Sequence, residues 1–304
     1  MNLVVQGDAP PSPATLQRLA ERTRARAIET IDAHAARILG AERDAAAQSA
    51  VAALCDAAAL DWAWLPAGRR LADFGLFVTD MDSTLINIEC IDEIADMRGL
   101  KTEVAAITDA AMRGEIDFRA SLTRRVALLA GLPEQALAKV HAKRIRLNPG
   151  ARALMARLKA AGVRTALVSG GFTYFTDRIR RELGFDHAWA NELEIRDGRL
   201  TGQVLGAIVD GRAKAEYLTA TRDALGLAPE SVLCAGDGAN DIPMFRAAGF
   251  SVAYRAKPAL REVADCCLDH AGLDGIARLF APPEDSGQPD MRRDAPVALR
   301  SSVP

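Results

Sequence analysis

Residues 79–89 read TDMDSTLINIE and follow the apolar run FGLFV at 74–78. That run has the length and the composition of a buried β-strand. Two carboxylates, Asp80 and Asp82, come directly after it, and the hydroxyl of Thr84 follows two residues later. Close carboxylates raise each other's pKa unless a cation lies between them. The stretch is therefore either an Asp-rich turn that caps the next helix or the start of a site that holds a cation.

The composition is that of an ordinary globular protein, with 49% hydrophobic and 26% charged residues in a chain of 304. A net charge of −2 provides no general attraction to nucleic acid or to an anionic membrane. No apolar run approaches the roughly 20 residues of a membrane span, and the first residues lack the pattern of a signal peptide. The five cysteines have no C-x-x-C spacing, as is typical of reduced thiols. We therefore expect a cytoplasmic protein that binds neither nucleic acid nor a membrane.

Apolar runs of strand length alternate with helical patterns beyond Phe74. The runs lie at 74–79, 163–169, 231–236, 250–255 and 265–269, and the helical patterns at 151–162, 176–184, 214–226 and 241–249. This alternation predicts an α/β fold with a Rossmann-like parallel sheet that helices cover on both faces. Asp197 and Gly198 lie between two alternating stretches, which predicts a β-hairpin at 193–204.

The interval between the first two strands is too long for one connection. A strand–helix–strand unit has roughly 30 residues, yet Asp80 and Ser169 lie much further apart. The surplus, residues 89–146, contains four helical patterns, the third with Asp117 as its predicted N-cap. We predict that these helices form a cap over the carboxyl edge of the sheet, inserted into a core of residues 71–88 and 147–281.

The two ends of the chain differ from this core. Residues 1–14 are rich in proline, which predicts a loose segment, and the rest of residues 1–70 is rich in Ala and Arg with helical periodicity. We predict a helical N-terminal segment without strands, of unknown role. Residues 282–304 are polar and rich in proline, which predicts a disordered tail.

Polar residues follow several predicted strands at their carboxyl ends, where open α/β sheets bind ligands. These residues, with one lysine at a helix start, are Asp80, Asp82, Ser169, Gly170, Lys214, Asp237, Asn240 and Asp241. The Ser-Gly-Gly sequence at 169–171 precedes a helix, an arrangement that suits a phosphate group. Turn chemistry, helix capping or an exposed lysine explains each residue alone, but their joint occurrence favours one site.

The chemistry of this set predicts a magnesium-dependent phosphatase. Without His or Cys at metal-ligand spacing, oxygen ligands have to hold the cation, and Mg²⁺ prefers them. We assign the metal to Asp80, the main-chain carbonyl of Asp82 and Asp237. Asp80 can attack phosphorus and form an aspartyl-phosphate, while Asp82 protonates the leaving alkoxide. Lys214 and Ser169 can bind the phosphoryl oxygens, and Lys214 would also contact Asp80 and keep it ionised.

These motifs resemble the haloacid dehalogenase superfamily, and most closely its phosphoserine phosphatase branch. They are Asp80-x-Asp82-x-Thr84, the strand-end Ser169, Lys214 and the GDGAND sequence at 236–241, within a resemblance that covers about 72–280. The resemblance implies hydrolysis of O-phospho-L-serine to L-serine and phosphate, the last step of serine biosynthesis. It also implies supporting roles for Thr84 and Asp241, and a phosphate contact for Asn240.

The resemblance further implies how the cap selects the substrate. Glu89 would bind the amine of phosphoserine and Arg125 its carboxylate, with Arg124 as the competing arginine. Met112 and Phe118 would close over the bound serine. Many bacterial members carry an N-terminal regulatory βαββαβ domain, and the predicted helices argue against one here. A homodimer contact and simple packing on the core both remain open for residues 1–70.

Three other functions explain these motifs less well. A related phosphatase or phosphotransferase could act on another small phosphate ester, but such a substrate has no use for the pair Glu89 and Arg125. A signalling receiver is disfavoured, because it has no leaving group for Asp82 to protonate and needs no cap. A catalytically inactive binding module is disfavoured because every motif residue is intact.

Overall fold

Two β-sheets organise the residues that the computed structural model describes, which are 1–112, 115–281 and 297–298. The first sheet belongs to the N-terminal region. Its elements are β1 (Asn2–Gln6), α1 (Pro13–Arg22), β2 (Ala27–Asp32), β3 (Ala35–Leu39), α2 (Ala45–Ala58) and β4 (Asp61–Leu65). These strands pair antiparallel in the order β2-β3-β1-β4. The two helices confirm part of the prediction, but the prediction of a helical segment without strands and with loose residues 1–14 is wrong.

Strand β3 explains the error. It reads AARIL, and Ala35, Ala36, Arg37 and Ile38 are all buried. Alanine and arginine favour helices, but this propensity is a weak guide that tertiary contacts override. Here β3 bonds to strands on both sides, and Ile38 packs in an apolar cluster with Leu19 of α1. The resulting order is βαββαβ, so the argument against such a module at the N-terminus no longer holds.

The second sheet begins with β5 (Leu76–Thr79), and four helices follow it. They are α3 (Cys90–Asp96), α4 (Lys101–Met112), α5 (Phe118–Ala127) and α6 (Gln135–Lys143). The Asp117 side chain accepts a hydrogen bond from the backbone N–H of Ala120 at 2.7 Å, which confirms it as the N-cap of α5. Ile86 and Leu147 form an antiparallel bridge where the chain leaves and re-enters the core. The four helices therefore form one insertion, as predicted.

The remaining elements complete the α/β core. They are α7 (Ala151–Ala160), β6 (Arg164–Phe172), α8 (Thr173–Leu183), β7 (His187–Arg196), β8 (Arg199–Leu205), α9 (Gly211–Ala224), β9 (Val232–Gly236), α10 (Ile242–Ala247), β10 (Phe250–Tyr254), α11 (Pro258–Arg261), β11 (Cys266–Leu268) and α12 (Gly275–Arg278). The strand order is β11-β10-β9-β5-β6-β7-β8. Neighbouring strands are parallel, except that β8 runs antiparallel to β7. The predicted parallel sheet and the hairpin at Asp197–Gly198 are confirmed.

Strand β5 is buried on both faces. Phe77 packs in a cluster that also contains cap residues such as Ile94, whereas Leu76 and Val78 pack in the cluster on the opposite face. Successive side chains of a strand point to opposite faces, so a fully covered strand is apolar throughout. The centre of the sheet is thus rigidly packed just before Asp80.

The N-terminal region is attached to the core through a buried carboxylate. Asp61, at the start of β4, is 4% exposed, and its two oxygens accept backbone N–H bonds from Asp269, His270 and Ala271. Arg278 of α12 also pairs with Asp32 at 2.7 Å. These charge-assisted bonds are about twice as strong as neutral ones. They fix the N-terminal sheet against the β11 edge of the core.

Most of the tail at 282–304, predicted to be disordered, lies outside the described residues. The exception is β12 (Val297–Ala298), which pairs antiparallel with β2, so disorder does not extend to these two positions. Within the described ranges, no helix combines the length and the apolar character needed to cross a membrane.

Candidate active site

Asp80 and Asp82 lie in the loop that leaves the carboxyl end of β5. The backbone N–H of Asp80 donates to the carbonyl of Ala235 on the neighbouring β9 at 3.1 Å. Its Oδ1 accepts from the backbone N–H of Met81 at 2.7 Å. Both carboxylates are buried. The loop therefore holds two acids at one fixed place on the sheet edge.

Lys214 neutralises part of this charge from the first turns of α9. Its side chain is fully buried, with Nζ 2.6 Å from Asp80 Oδ2 and 2.7 Å from Asp241 Oδ1. Burial alone would lower the pKa of Lys214, but the two carboxylates outweigh burial and raise it. Burial raises the pKa of Asp80 to about 6, although Lys214 acts in the opposite direction. The predicted contact of Lys214 with Asp80 is present.

Asp237 completes the acidic cluster from the loop after β9. Carboxylate oxygens of Asp80, Asp237 and Asp241 all lie within 4.8 Å of one another. The hydroxyl of Thr84 donates to Asp237 Oδ1 at 3.1 Å. Burial, followed by the charges of Asp80 and Asp241, raises the pKa of Asp237 to about 8. Only oxygen donors meet here, and their charges repel, so the cluster fits a hard divalent cation.

Asp241 has a different position within the cluster. Its Oδ2 accepts backbone N–H bonds from Asp237 and Gly238 at 3.1 and 3.2 Å, and its Oδ1 lies against Lys214. Because both oxygens already have partners, Asp241 organises the loop. Asn240 is in the same loop, and its carbonyl lies 2.6 Å from where a Cβ on Gly211, the first residue of α9, would stand. The loop is thus closely packed on the helix that carries Lys214.

Ser169 and Gly170 reach the same place from β6. The Ser169 hydroxyl is fully buried and accepts the backbone N–H of Gly171 at 2.9 Å. A Cβ on Gly171 would stand 2.9 Å from Asp82 Oδ2, so this loop runs directly beside the second acid. The strand continues to Phe172, past the predicted strand end at Ser169. The structure therefore brings together the predicted phosphate contacts and both acids of the first loop.

The two charged residues predicted to bind the substrate from the cap, Glu89 and Arg125, lie near Asp82. The hydroxyl of Ser83 donates to Glu89 Oε1 at 2.8 Å. Arg125 is half-buried, whereas Arg124 is exposed. The Nε of Arg125 has no hydrogen-bond partner among the described residues. Burial lowers the pKa of Arg125, against the opposing charges of Asp92, Glu89 and Asp82. Of the two arginines, Arg125 is the more buried, and its charge interacts with those of Glu89 and Asp82.

Two apolar cap residues, Phe118 and Met112, are predicted to close over the bound serine. The ring of Phe118 lies over the C-terminal part of β6, with Cζ 3.1 Å from where a Cβ on Gly170 would stand. The side chain of Met112 lies outside the described residues. The predicted closure by Phe118 is thus consistent with its place above Gly170, while the one by Met112 stays a prediction.

Sequence reasoning missed Asn148, which lies where the cap returns to the core. Its Nδ2 donates to the carbonyls of Thr84 at 2.7 Å and of Ile86 at 3.2 Å. Its own backbone N–H donates to the carbonyl of Leu85 at 2.8 Å. It therefore holds the turn after the two acids, in which Ser83 has a φ of +56°. Nothing close to Asn148 in the sequence indicates a contact with residues so distant in the chain.

Comparisons with known proteins agree with this geometry. Residues 77–246 match the model of the haloacid dehalogenase-like hydrolase family. A phosphoserine phosphatase from Albidiferax ferrireducens is 53% identical over 218 residues, which are 70% of this chain and 92% of that protein. One from a Polaromonas species is 54% identical over 215 residues, 69% of this chain and 91% of that protein.

Solved structures give the same result. The unliganded crystal structure of a probable phosphoserine phosphatase from Vibrio cholerae has a TM-score of 0.79 and 36% identity, and covers 92% of this chain and 86% of that one. A substrate-bound phosphoserine phosphatase has a TM-score of 0.65 and 42% identity, over 68% of this chain and 99% of that one. These matches show that the chain belongs to the haloacid dehalogenase-like hydrolase family. Within that family it is an enzyme of the phosphatase class.

Proposed function

We propose that the chain hydrolyses O-phospho-L-serine to L-serine and phosphate. The observation that carries this proposal is the position of Glu89 and Arg125 next to the acidic cluster. Glu89 accepts a hydrogen bond at 2.8 Å from Ser83, the residue after Asp82, and its charge adds to burial and to neighbouring acids in raising the pKa of Asp82 and Asp237. Burial lowers the pKa of the half-buried Arg125, against the charges of Glu89 and Asp82. An anion and a guanidinium beside a phosphate site match the ammonium and carboxylate groups of an amino acid. A phosphate ester without these groups would make no use of either charge.

The acidic cluster fits Mg²⁺ as the cofactor. Asp80, Asp237 and the main-chain carbonyl of Asp82 would hold the ion, as oxygen donors of the kind that Mg²⁺ binds. When bound, it supplies positive charge that offsets the repulsion between the phosphate and the carboxylates. Lys214 supplies a fixed positive charge beside Asp80, with Nζ at 2.6 Å from Oδ2.

The chain's own residues then divide the reaction. Asp80, kept in one orientation by Met81 and Lys214, attacks phosphorus and breaks the ester bond, which leaves an aspartyl-phosphate. Asp82 gives a proton to the departing serine oxygen. It later takes a proton from the water that attacks phosphorus, which breaks the bond to Asp80 and releases phosphate. Its Oδ1 is buried and has no hydrogen-bond partner among the described residues, so it is free to contact the reacting groups. Ser169 and the backbone at Gly170 bind the phosphoryl oxygens.

A substrate panel tests the proposal. The purified chain is assayed with phosphoserine, phosphoethanolamine and glycerol phosphate, each with Mg²⁺ and with EDTA, and with homoserine as an alternative acceptor. We expect phosphoserine to have the highest kcat/KM, because phosphoethanolamine lacks the carboxylate for Arg125 and glycerol phosphate lacks both charged groups. EDTA should abolish turnover. Equal kcat/KM for glycerol phosphate, or phosphate transfer to homoserine as the main reaction, would favour the alternative of a related phosphatase or phosphotransferase.

Serine release by this enzyme would be the last step of serine biosynthesis. That role, a cytoplasmic location and a homodimer remain predictions from the sequence.

A further inference from the structure

A second asparagine that sequence reasoning did not single out, Asn191, lies between two parts of the site. It is on β7 and is 1% exposed. Its Nδ2 donates to the carbonyl of Gly170 at 2.8 Å, and its Oδ1 accepts from the backbone N–H of Val209 at 2.8 Å. Gly170 belongs to the loop with Ser169, and Val209 directly precedes the N-terminus of α9. Both polar groups of the side-chain amide are therefore used, one on each loop.

The first of these bonds compensates for an irregular strand pairing. Val168 of β6 pairs with Trp189 of β7, and Phe172 pairs with Asn191. The β6 strand thus advances four residues while β7 advances two, so β6 bulges at the Ser-Gly-Gly sequence. A bulge leaves backbone groups of the longer strand without their regular ladder partners. The side chain of Asn191 supplies the partner for the carbonyl of Gly170, and so fixes the shape of the bulge that presents Ser169.

The second bond fixes the start of the helix that carries Lys214. Val209 is followed by Asp210, whose carboxylate caps α9 by accepting from the backbone N–H of Ala213 at 2.9 Å. Lys214 directly follows Ala213 and is fully buried. The position of α9 along its axis therefore depends on the loop at Val209, and that loop is held to β7 by the Asn191 amide.

We propose that Asn191 is a positioning residue that sets the distance between the Ser169–Gly170 loop and Lys214. It does not touch the phosphate itself. A primary amide is suited to this role because it carries a donor and an acceptor on one planar group. An ionised aspartate at the same position would place an acceptor against the carbonyl of Gly170, and a leucine of similar size could make neither bond. The proposal rests on the proposed phosphatase site but not on the identity of the ester that it hydrolyses.

The test compares Asn191→Leu with the control Thr165→Val. Thr165 is on β6, the strand that pairs with β7, and is 4% exposed; its hydroxyl donates to Asp186 Oδ2 at 3.1 Å at the far end of the same strand pair. Measurements are kcat and KM with phosphoserine and with p-nitrophenyl phosphate, the inhibition constant of inorganic phosphate, and thermal unfolding. A displacement of about 1 Å can lower a rate about 100-fold. We expect Asn191→Leu to lower kcat at least tenfold for both esters and to weaken phosphate inhibition.

The control should lower the unfolding temperature with kcat and phosphate inhibition within twofold of the parent. If Asn191→Leu behaves in the same way as the control, Asn191 serves stability alone and the proposal is overturned. If Asn191→Leu does not fold, the pH dependence of Asn191→Asp tests the proposal instead. Its kcat relative to the parent should rise as the pH falls, because a protonated carboxyl regains the donor for Gly170. A ratio that does not change with pH overturns the proposal.

These measurements also distinguish a failure of the role proposed for Asn191 from a failure of the proposed phosphoserine hydrolysis. If the parent enzyme hydrolyses p-nitrophenyl phosphate but not phosphoserine, the assignment of the substrate fails. The comparison of Asn191→Leu with Thr165→Val is still read from p-nitrophenyl phosphate and from phosphate inhibition.

Discussion

Replacement of Lys214 by methionine should destabilise the fold as well as abolish activity. Lys214 is fully buried and lies within 2.7 Å of oxygens on both Asp80 and Asp241. Methionine fills a similar volume but leaves two buried carboxylates without their cation. Removing one partner from a buried ion pair costs about 3–5 kcal/mol. For a chain of 304 residues, the unfolding entropy per residue implies that this loss lowers the unfolding temperature by about 5–8 °C.

The pH dependence of this loss identifies its cause. Burial already raises the pKa of Asp80 to about 6, and loss of Lys214 should raise it further. An acid with a folded-state pKa above its unfolded value of about 4 stabilises the fold at low pH and loses that contribution as the pH rises through the folded-state value. The difference in unfolding free energy between the parent and Lys214→Met should therefore be largest at about pH 8 and should decrease toward about pH 5.

Urea unfolding at several pH values in EDTA measures this difference. Lys257→Met is the matched control, because the Lys257 side chain is 54% exposed and its Nζ lies 3.9 Å from Asp237 Oδ2. An exposed pair of this kind contributes about 1 kcal/mol or less. A loss below about 1 kcal/mol for Lys214→Met, or a loss independent of pH, would refute the argument that Lys214 compensates buried charge.

Two further substitutions test the reaction and the substrate contact. Asp80→Asn should abolish phosphoserine hydrolysis in a folded protein, measured as phosphate release beside circular dichroism; substantial residual turnover would remove Asp80 from the role of nucleophile. Arg125→Ala should raise KM for phosphoserine far more than KM for p-nitrophenyl phosphate, since a desolvated charged contact contributes about 2–5 kcal/mol. Arg124→Ala, at the exposed neighbouring position, should leave both KM values unchanged. Equal losses for the two esters would locate the carboxylate contact elsewhere.

Local patterns were sufficient wherever a segment's own residues decide its structure. The apolar run before Asp80 became the doubly buried strand β5, and the Asp197–Gly198 pair became the turn of the β7–β8 hairpin. Asp117 caps α5 as its sequence position indicates. In each case, short-range hydrogen bonding or burial of a continuous apolar run fixes the outcome without help from distant residues.

Local patterns failed in the N-terminal region, most clearly at β3, because its residues favour helices. The β3 sequence AARIL forms a strand because β1 and β2 supply hydrogen-bond partners on both sides. The pairing with β1 joins residues far apart in the chain, such as Leu3 and Ile38, so no short window of sequence contains it. The attachment of this sheet to the core through Asp61 depends on the same kind of long-range contact.

The sequence by itself determined which residues reach the carboxyl edge of the sheet, since parallel strands end there together and their loops carry the acids, the serine and the lysine. Only the tertiary structure decided which contacts each of these residues makes. It showed that Asp241 has both oxygens bonded and that Asn191 joins the Ser169 loop to α9. The physical reason is that a hydrogen bond depends on distances of a few tenths of an ångström between residues from separate loops. A linear pattern does not specify those distances.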